Sequence, residues 1–380
     1  MRTRICDELG IDVPIFAFSH CRDVVAAVSR AGGMGVLGAL AFSSEQLEIE
    51  LDWIDEHVDG KPYGVDVVMP ASYAGRDQGD FTKDDLERMI PDEHKKYIES
   101  VLEKYEVPPL PEGVAPQVDS LLGWSLGGGR SQVEIGLGHP IRLIVNALGP
   151  PPKDVVDKAH AQGVKVAALV GTAAQARKQV EQGVDIIVAQ GTEAGGHTGE
   201  VSTMVLVPEV VDAVSPVPVL AAGGIGDGRQ VAAALALGAD GVWTGSIWLT
   251  VAESDSTPAI TEKLLAASSR DTVRSRSMTG KPARLLRTAW TDAWEAPECP
   301  GTLPMPLQFM ATADAQARIG HFAHVERSRA RELVGMPVGQ IVGRMNEVKP
   351  AHEVVYQMVD QFIDSVARLQ GLLEAADKAR

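Results

Sequence analysis

A single histidine lies in a glycine-rich stretch of this sequence, directly after a run of apolar, β-branched residues. The run is Val184–Val188, and the stretch Ala189–Val201 contains His197 together with Gly191, Gly195, Gly196 and Gly199. In α/β proteins, catalytic residues are placed where interior strands end at their carboxyl termini. Glycines in such a loop let backbone N–H groups approach a flat or phosphorylated ligand. The pattern predicts a ligand site; the alternative is an irregular turn that carries a solvated histidine.

Imidazole gives His197 a chemical role that few side chains can supply. Its unperturbed pKa lies close to neutrality, so His197 is suited to removing a proton from carbon beside an electron-withdrawing group. Glu193 in the same loop is the competing base. We rank Glu193 lower, because an acidic residue at the start of such a loop more often accepts hydrogen bonds from backbone N–H groups. His197 is therefore the predicted catalytic residue.

Two later glycine-rich turns indicate a phosphate site. One turn, Ala222–Gly228, leads from a predicted strand into a helix, and the other, Trp243–Ser246, ends the following strand. Backbone N–H groups at a helix N-terminus, after the last two strands of a barrel, commonly hold phosphate. The alternative is that these glycines serve only tight turns. The predicted phosphate ligands are Gly223, Gly224, Thr244 and Gly245.

A repeated order of helix, glycine and β-branched strand predicts the elements that position these loops. In one repeat, the helix Val155–Gln162 is followed by Gly163 and the strand Val164–Val170. A glycine at this place is typical of a helix C-terminus. Eight such strands in about 250 residues favour a closed (β/α)8 TIM barrel over an open doubly wound sheet. The strands are predicted at 13–18, 34–40, 62–69, 141–147, 164–170, 184–189, 217–222 and 241–245.

Two segments do not follow the repeat. Residues 71–139 form a long insertion after strand three, with a helix predicted to begin after Thr82. Because it leaves the carboxyl end of a strand, the insertion is expected either to cover the active site as a lid or to form a subunit contact. Residues 251–380 form a C-terminal extension that ends in an amphipathic helix and packs on the barrel. The barrel itself is assigned to residues 1–70 and 140–250.

The extension carries a cluster of cations in an otherwise acidic chain. The cluster could hold the anionic tail of a substrate, but pairing with the protein's own acidic face is the favoured interpretation. Its members are Arg270, Arg274, Arg276, Lys281, Arg284 and Arg287.

Composition narrows the class of protein. The formal net charge of −16 disfavours binding to nucleic acid, because no basic face is strong enough to overcome it. No apolar span is long enough to cross a membrane, and no signal peptide is recognisable, so a cytoplasmic location is expected. Three scattered cysteines indicate neither a disulfide framework nor a zinc site, and no other metal site is predicted. The expected partners are small molecules, and a homo-oligomer is also compatible with the sequence.

The two glycine-rich regions together resemble a known family. The phrases Gln190–Gly199, Ala221–Gly228 and Gly241–Gly245 resemble those of the nitronate monooxygenases, formerly called 2-nitropropane dioxygenases. The resemblance implies an FMN-dependent TIM-barrel enzyme that oxidises alkyl nitronates with O2 to a carbonyl compound and nitrite. His197 falls on the family's catalytic histidine, which acts as a base on a neutral nitroalkane or orients the anionic nitronate. The implied FMN contacts are Ala17, Phe18, Ser19, Asp66, Gln190, Gly195, Gly196, Gly223, Gly224, Thr244 and Gly245.

The sequence departs from the family near the expected flavin. Residues 16–21 replace the family's usual first loop, and Asp66 stands where an asparagine often ends strand three. An ionised Asp66 can only accept hydrogen bonds, so it would not replace both functions of an amide. His20, in the altered loop, either reaches the substrate pocket or begins a surface helix.

Three other functions fit the same sequence. The nearest is an FMN reductase that uses NAD(P)H on a quinone or on an enoyl or acyl thioester, because related flavin barrels share the His197 phrase. A non-catalytic flavin-binding protein and a phosphosugar isomerase without flavin are the others. Flavin absorbance separates the last from the rest, and anaerobic reduction by nitronate or by NAD(P)H separates the others.

Overall fold

Eight short parallel strands form the centre of the fold, in a computed structural model that describes residues 1–69, 83–114 and 126–378. Their residues are mostly β-branched or small, which suits strands that are buried on both faces. The bounds are β1 (Ile15–Ser19), β2 (Met34–Gly38), β3 (Tyr63–Val67), β4 (Leu143–Asn146), β5 (Lys165–Val170), β6 (Ile186–Gln190), β8 (Val219–Ala222) and β9 (Gly241–Thr244); a two-residue strand, β7 (Gly196–His197), lies outside the barrel.

The eight strands close into a barrel in chain order, with β9 hydrogen-bonded to β1. All eight pairings are parallel, and adjacent strands are staggered, as in the pairing of Asp66 on β3 with Gly38 on β2. This closure confirms the predicted TIM barrel and rules out the open doubly wound sheet. The strand ends predicted from sequence differ from the observed ones by a few residues, because flanking loop residues are also apolar.

Helices surround the barrel and alternate with the strands. Most begin at a polar or proline residue, and Asp227 caps one of them through two backbone N–H groups. The helices are α1 (Arg4–Leu9), α2 (Arg22–Arg30), α3 (Ser44–His57), α4 (Lys83–Arg88), α5 (Asp92–Lys104), α6 (Leu126–Gly136), α7 (Lys153–Ala161), α8 (Ala173–Glu181), α9 (Thr203–Val214), α10 (Gly228–Ala236), α11 (Pro258–Ala266), α12 (Ala289–Trp294), α13 (Leu307–Phe322), α14 (Ala330–Leu333) and α15 (Ala351–Lys378).

Strand alternation divides the core into two clusters. Ile15 and Ala17 of β1 pack against the helices, whereas Phe16 and Phe18 of the same strand face the barrel interior. At the amino end of the barrel, α1 contributes apolar side chains to the interior cluster. The side chains of α1 thus fill the amino end of the interior, whereas at the carboxyl end β1, β6, β8 and β9 lead into the predicted loops.

The segment 71–139 divides into parts that pack differently, and its residues 70–82 and 115–125, including the proposed helix start at Thr82, lie outside the described residues. Helix α6 packs on α3 and β3, in the place of the third barrel helix. By contrast, α4 and α5 pack against α13 of the C-terminal extension. A side chain of α5, Tyr97, donates a hydrogen bond to the Ala293 carbonyl. Helix α6, which precedes β4, therefore packs as one of the helices that surround the barrel.

The C-terminal extension covers the barrel at two places. Its last helix, α15, packs along α10 and α2 and accepts a hydrogen bond from the Gly228 N–H through Gln361. Its hairpin, β10 (Thr272–Ser275) and β11 (Ala283–Leu286), adds β7 to form a three-stranded antiparallel sheet. Among the helices of the described residues, none is long and apolar enough to cross a membrane.

Candidate active site at the barrel mouth

The carboxyl ends of the strands form a ring whose inward side chains are mostly apolar. By strand alternation, the residues that face the interior at this end are Phe18, Gly38, Asp66, Leu169, Gln190, Ala222 and Trp243. Phe18 and Trp243 stack with their ring centroids 6.2 Å apart. Only Asp66 and Gln190 bring polar groups into this ring. An apolar mouth with a few polar groups is typical of a site for a flat organic ligand.

His197 is held at the mouth by the C-terminal hairpin. Its backbone pairs with Ala283 of β11, which makes the loop after β6 part of a sheet. The His197 Nε2 atom lies 2.7 Å from the Thr279 hydroxyl oxygen, and Thr279 is fully buried. The side chain of His197 is half-buried. The backbone of His197 is therefore held by β11 and its ring by Thr279, so the interpretation as a solvated turn residue is wrong.

The electrostatic environment keeps His197 neutral. Desolvation by the surrounding protein, with a smaller contribution from the positive charge of Lys281, lowers the pKa of His197 to about 4. At neutral pH its imidazole can donate and accept hydrogen bonds but is a weak base. The competing base, Glu193, accepts hydrogen bonds from the Thr203 N–H and hydroxyl, at 2.9 and 3.0 Å. Its carboxylate holds the start of α9, as the sequence predicted.

Unpaired backbone donors gather after β8 and β9. Within the described ranges, no acceptor is paired with the N–H groups of Gly223, Gly224, Ile225 and Gly245. Gly223 and Gly224 have positive φ values of 103° and 70°, which favour glycine. The following helix, α10, begins only a few residues later. A partly exposed set of free N–H groups at a helix N-terminus matches the needs of a phosphate.

Other predicted contacts have their side chains engaged in the protein. The Thr244 hydroxyl donates to the Phe16 carbonyl at 2.8 Å and accepts from the Trp248 indole N–H at 3.0 Å. Ala17 faces the helices, and the Ser19 hydroxyl accepts a hydrogen bond from the Cys21 N–H. These three residues can meet a ligand only through their backbone or by rearrangement. Phe18 is the residue of β1 whose side chain faces the mouth.

The glycines of the loop after β6 have different neighbours. A Cβ atom at Gly195 would lie 2.8 Å from the Gly339 nitrogen, so this glycine admits the backbone of the extension. The same approach is fixed by the hydrogen bond from the Gln340 N–H to the Glu193 carbonyl. At Gly196, in contrast, a Cβ would meet nothing within 4 Å. Gly196 is therefore the glycine of this pair with open space beside it.

The six cations of the extension do not act as one patch. Arg287 pairs with Asp292, and Arg284 donates to the Thr192 carbonyl at 2.8 Å, so these cations brace the fold. Lys281 has no carboxylate partner among residues 1–69, 83–114 and 126–378, and burial lowers its pKa. Its backbone N–H lies 3.4 Å from the hydroxyl oxygen of Thr279, the residue that holds His197. The charge of Lys281 acts on His197 and contributes to lowering the pKa of the histidine.

His20 lies on the opposite side of the mouth, between β1 and β2. Its Nδ1 is 2.8 Å from the Gly38 carbonyl oxygen, and its ring meets Phe18 edge-on with centroids 5.1 Å apart. Since a carbonyl only accepts, the neutral ring carries its proton on Nδ1. Desolvation of the ring lowers the pKa of His20, although the residue as a whole stays exposed to solvent. His20 thus stands at the mouth rather than within a helix.

Thr279 and residues 338–340 were missed from sequence, and Lys281 was noted there only as one member of the cation cluster, not as a neighbour of His197. No glycine-rich phrase or strand ending marks these residues, and Thr279 lies 82 residues from His197 in the chain. The pattern Thr279-Gly280-Lys281, a hydroxyl and a cation in a hairpin turn, could have been noticed only with knowledge of the pairing between β7 and β11.

Replacing Thr279 by valine tests how the histidine is held. We expect turnover to fall about tenfold, since one buried hydrogen bond to the ring is lost, while the flavin content stays unchanged. The acid limb of the pH profile should also move, which a purely structural residue would not cause. Ser277→Ala is the matched control, because Ser277 is buried in the same hairpin and its hydroxyl has no partner within the described residues. Equal rates for Thr279→Val and Ser277→Ala would contradict this role.

Comparison with known proteins identifies relatives over nearly the whole chain. The sequence profile of a family described as nitronate monooxygenase matches residues 13–361. A Mycobacterium tuberculosis protein named as a monooxygenase is 55% identical over 374 residues, which covers 98% of this chain and 100% of that protein. A Staphylococcus aureus protein named as a nitronate monooxygenase is 30% identical, with 95% and 97% of the two chains covered.

Solved structures give the same fold. FabK from Thermotoga maritima superposes with a TM-score of 0.73 at 29% identity and covers 98% of this chain and 99% of its own. A nitroalkane oxidase from Streptomyces ansochromogenes gives a TM-score of 0.77, with 96% and 99% of the chains covered. Its sequence identity is 24%, so this likeness concerns the fold alone.

Proposed function

The chain belongs to the nitronate monooxygenase family, and from this premise we propose an FMN-dependent oxidoreductase that oxidises alkyl nitronates with O2 to a carbonyl compound and nitrite. The observation that carries the proposal is a neutral His197 at an apolar mouth, within the electrostatic reach of Lys281, a cation that has no carboxylate partner in the part of the chain that the structure describes. Together they offer a hydrogen-bonding group and a positive charge to a small anion. A nitronate has this character, whereas a neutral nitroalkane does not.

The chain's residues fit a phosphorylated flavin. The free N–H groups of Gly223, Gly224, Ile225 and Gly245 would hold the phosphate, with Thr244 contributing only through its backbone. The isoalloxazine would lie over the ring of inward side chains that includes Phe18, and Gln190 and Asp66 would supply its polar contacts. Gly195 and Gly196 would border it from the loop after β6. When bound, FMN accepts electrons from the substrate and passes them to O2.

The chain's own residues then have three tasks in the reaction. Lys281 attracts the nitronate and offsets its negative charge. His197, held by Thr279, donates a hydrogen bond to a nitro oxygen and fixes the anion in one orientation. The aromatic side chains at the mouth exclude water. The low pKa of His197 makes orientation, rather than removal of a carbon proton, its main task.

Absorbance and anaerobic mixing test this function. The purified protein should show the absorbance bands of bound flavin, and an anaerobic nitronate should bleach them within the turnover time. Bleaching by NAD(P)H and not by nitronate would overturn the nitronate assignment. That result would favour the second candidate, a flavin reductase acting on a quinone or a thioester. The likeness to FabK and the cation Lys281 support this candidate. A protein without flavin would contradict both.

The pH profile follows from the depressed pKa of His197. Because the neutral imidazole is the acting form, it persists as the pH falls and is lost only near pH 4. We therefore expect kcat/KM for a preformed nitronate to stay within about twofold between pH 8 and pH 5.5. Stopped-flow initial rates are required, since nitronates reprotonate slowly in acid. An acid limb centred near pH 6.5, the value of an unperturbed histidine, would contradict this environment.

We also propose that part of the segment 71–139 is a lid over the active site. Helix α5 is fixed to the extension, where Arg318 of α13 donates to the Val107 carbonyl and pairs with Glu99 at 2.8 Å. A deletion of residues 71–139 would also remove α6, which packs in the barrel layer. A deletion that spares residues 126–139 is expected to change KM or substrate range more than flavin content. Loss of flavin without change in KM would contradict the lid.

A further inference from the structure

The Asp66 side chain is nearly buried at the barrel mouth, and no hydrogen-bonding partner for its carboxyl group lies among the described residues. Asp66 is only 4% exposed, and no donor or cation is paired with it in the part of the chain that the structure describes. A polar group buried without a partner costs free energy, so such groups are rare unless a ligand satisfies them. This one needs an explanation that the protein alone does not supply.

Strand alternation aims the Asp66 side chain into the mouth. Tyr63, Val65 and Val67 of β3 pack against the helices, so Asp66 faces the barrel interior, as do Val36 and Val145 on the adjacent strands. Asp66 is also near the carboxyl end of β3, where the ring of inward side chains lies. The carboxyl group is therefore positioned to meet whatever occupies the mouth.

The strand partners of Asp66 are uncharged. Its partner on β2 is Gly38 and its partner on β4 is Val145, and neither carries a charge. His20 lies next to this pairing through its contact with Gly38, and desolvation favours its neutral form. Within residues 1–69, 83–114 and 126–378, no cation is paired with Asp66, and burial raises the pKa of Asp66 well above its usual value.

We propose that Asp66 acts as a neutral carboxylic acid that donates a hydrogen bond to an acceptor atom of the bound isoalloxazine. The inference rests on the proposed FMN dependence. A protonated carboxyl group presents one O–H donor and one carbonyl acceptor, so it reproduces both functions of an asparagine amide. The sequence-based view that Asp66 could only accept hydrogen bonds assumed an ionised group, and burial removes that assumption.

Two substitutions test whether Asp66 binds FMN as a hydrogen-bond donor rather than as a negative charge. Asp66→Asn keeps a donor and an acceptor of the same shape, and we expect its Kd for FMN at pH 7 to stay within about threefold of the wild type. Asp66→Ala removes the donor and should raise the Kd about tenfold, the usual effect of one lost hydrogen bond. Flavin fluorescence quenching in titrations of the apoprotein measures each Kd. An Asn variant as weak as the Ala variant, or an Ala variant equal to the wild type, would overturn the proposal.

Infrared difference spectroscopy detects the proton directly. The wild type at pH 7 should show the C=O stretch of a protonated carboxylic acid, and this band should shift when FMN is added. Asp66→Asn should lack the band. Failure of the proposed FMN dependence is distinguishable, because the wild type would then not bind FMN at all. If the wild type binds FMN but shows only carboxylate bands, the FMN dependence stands and the inference about Asp66 is wrong.

Discussion

Replacing His197 by alanine is expected to reduce turnover by about 10²–10⁴-fold, and by a similar factor for a preformed nitronate and for the neutral nitroalkane. The similarity follows from the depressed pKa, because an imidazole with a pKa of about 4 contributes little as a base. What the variant loses is the hydrogen bond that orients the anion, and both substrates need that bond once the anion exists.

Flavin content is the control for this variant. His197 pairs with Ala283 through its backbone, which alanine keeps, and the phosphate donors lie on other strands. The purified variant should therefore retain its fold and its flavin spectrum. A much larger loss on the neutral nitroalkane than on the nitronate would show that His197 is mainly a base. Unchanged turnover on both substrates would remove His197 from the active site.

Replacing Gly245 by valine is expected to yield largely apo protein, with FMN affinity lowered about 10²-fold or more. The physical reason is that a branched side chain at one of the unpaired N–H groups would hinder the close approach of the phosphate, so charge-assisted hydrogen bonds to the phosphate would be lost. Gly245 has a φ of −133°, outside the left-handed region that favours glycine. A Cβ there would lie 3.8 Å from Phe18, an ordinary contact. The fold should therefore persist.

The choice of Gly245 separates ligand effects from backbone strain. Gly224 has a φ of 70°, and a Cβ there would lie 3.4 Å from the Glu193 Cβ, so a side chain at Gly224 would strain the fold as well. Gly320→Val is the control, because its Cβ would meet nothing within 4 Å and it lies on α13. Circular dichroism and the flavin to protein absorbance ratio measure the two effects. Full flavin occupancy in Gly245→Val would refute the phosphate site.

The sequence by itself determined the fold and the family, and it predicted the place of the site. Hydrophobic periodicity and the glycines after each helix are local signals, so eight barrel strands could be predicted with boundary errors of a few residues. The same is true of the loop after β6, because its glycines and His197 are adjacent in the chain. Glu193 accepts a backbone hydrogen bond as the sequence predicted, since the tendency of such residues to do so is local.

Only the tertiary structure decided how these residues act. The pairing of β7 with β11 brings Thr279 and Lys281 to His197 across about 80 residues of chain, and no local pattern encodes such a contact. Burial lowers the pKa of His197 and raises that of Asp66, which reverses the roles that their unperturbed values suggest. Desolvation depends on what surrounds a group in space rather than in sequence. The chemistry of the site is for this reason a property of the folded chain.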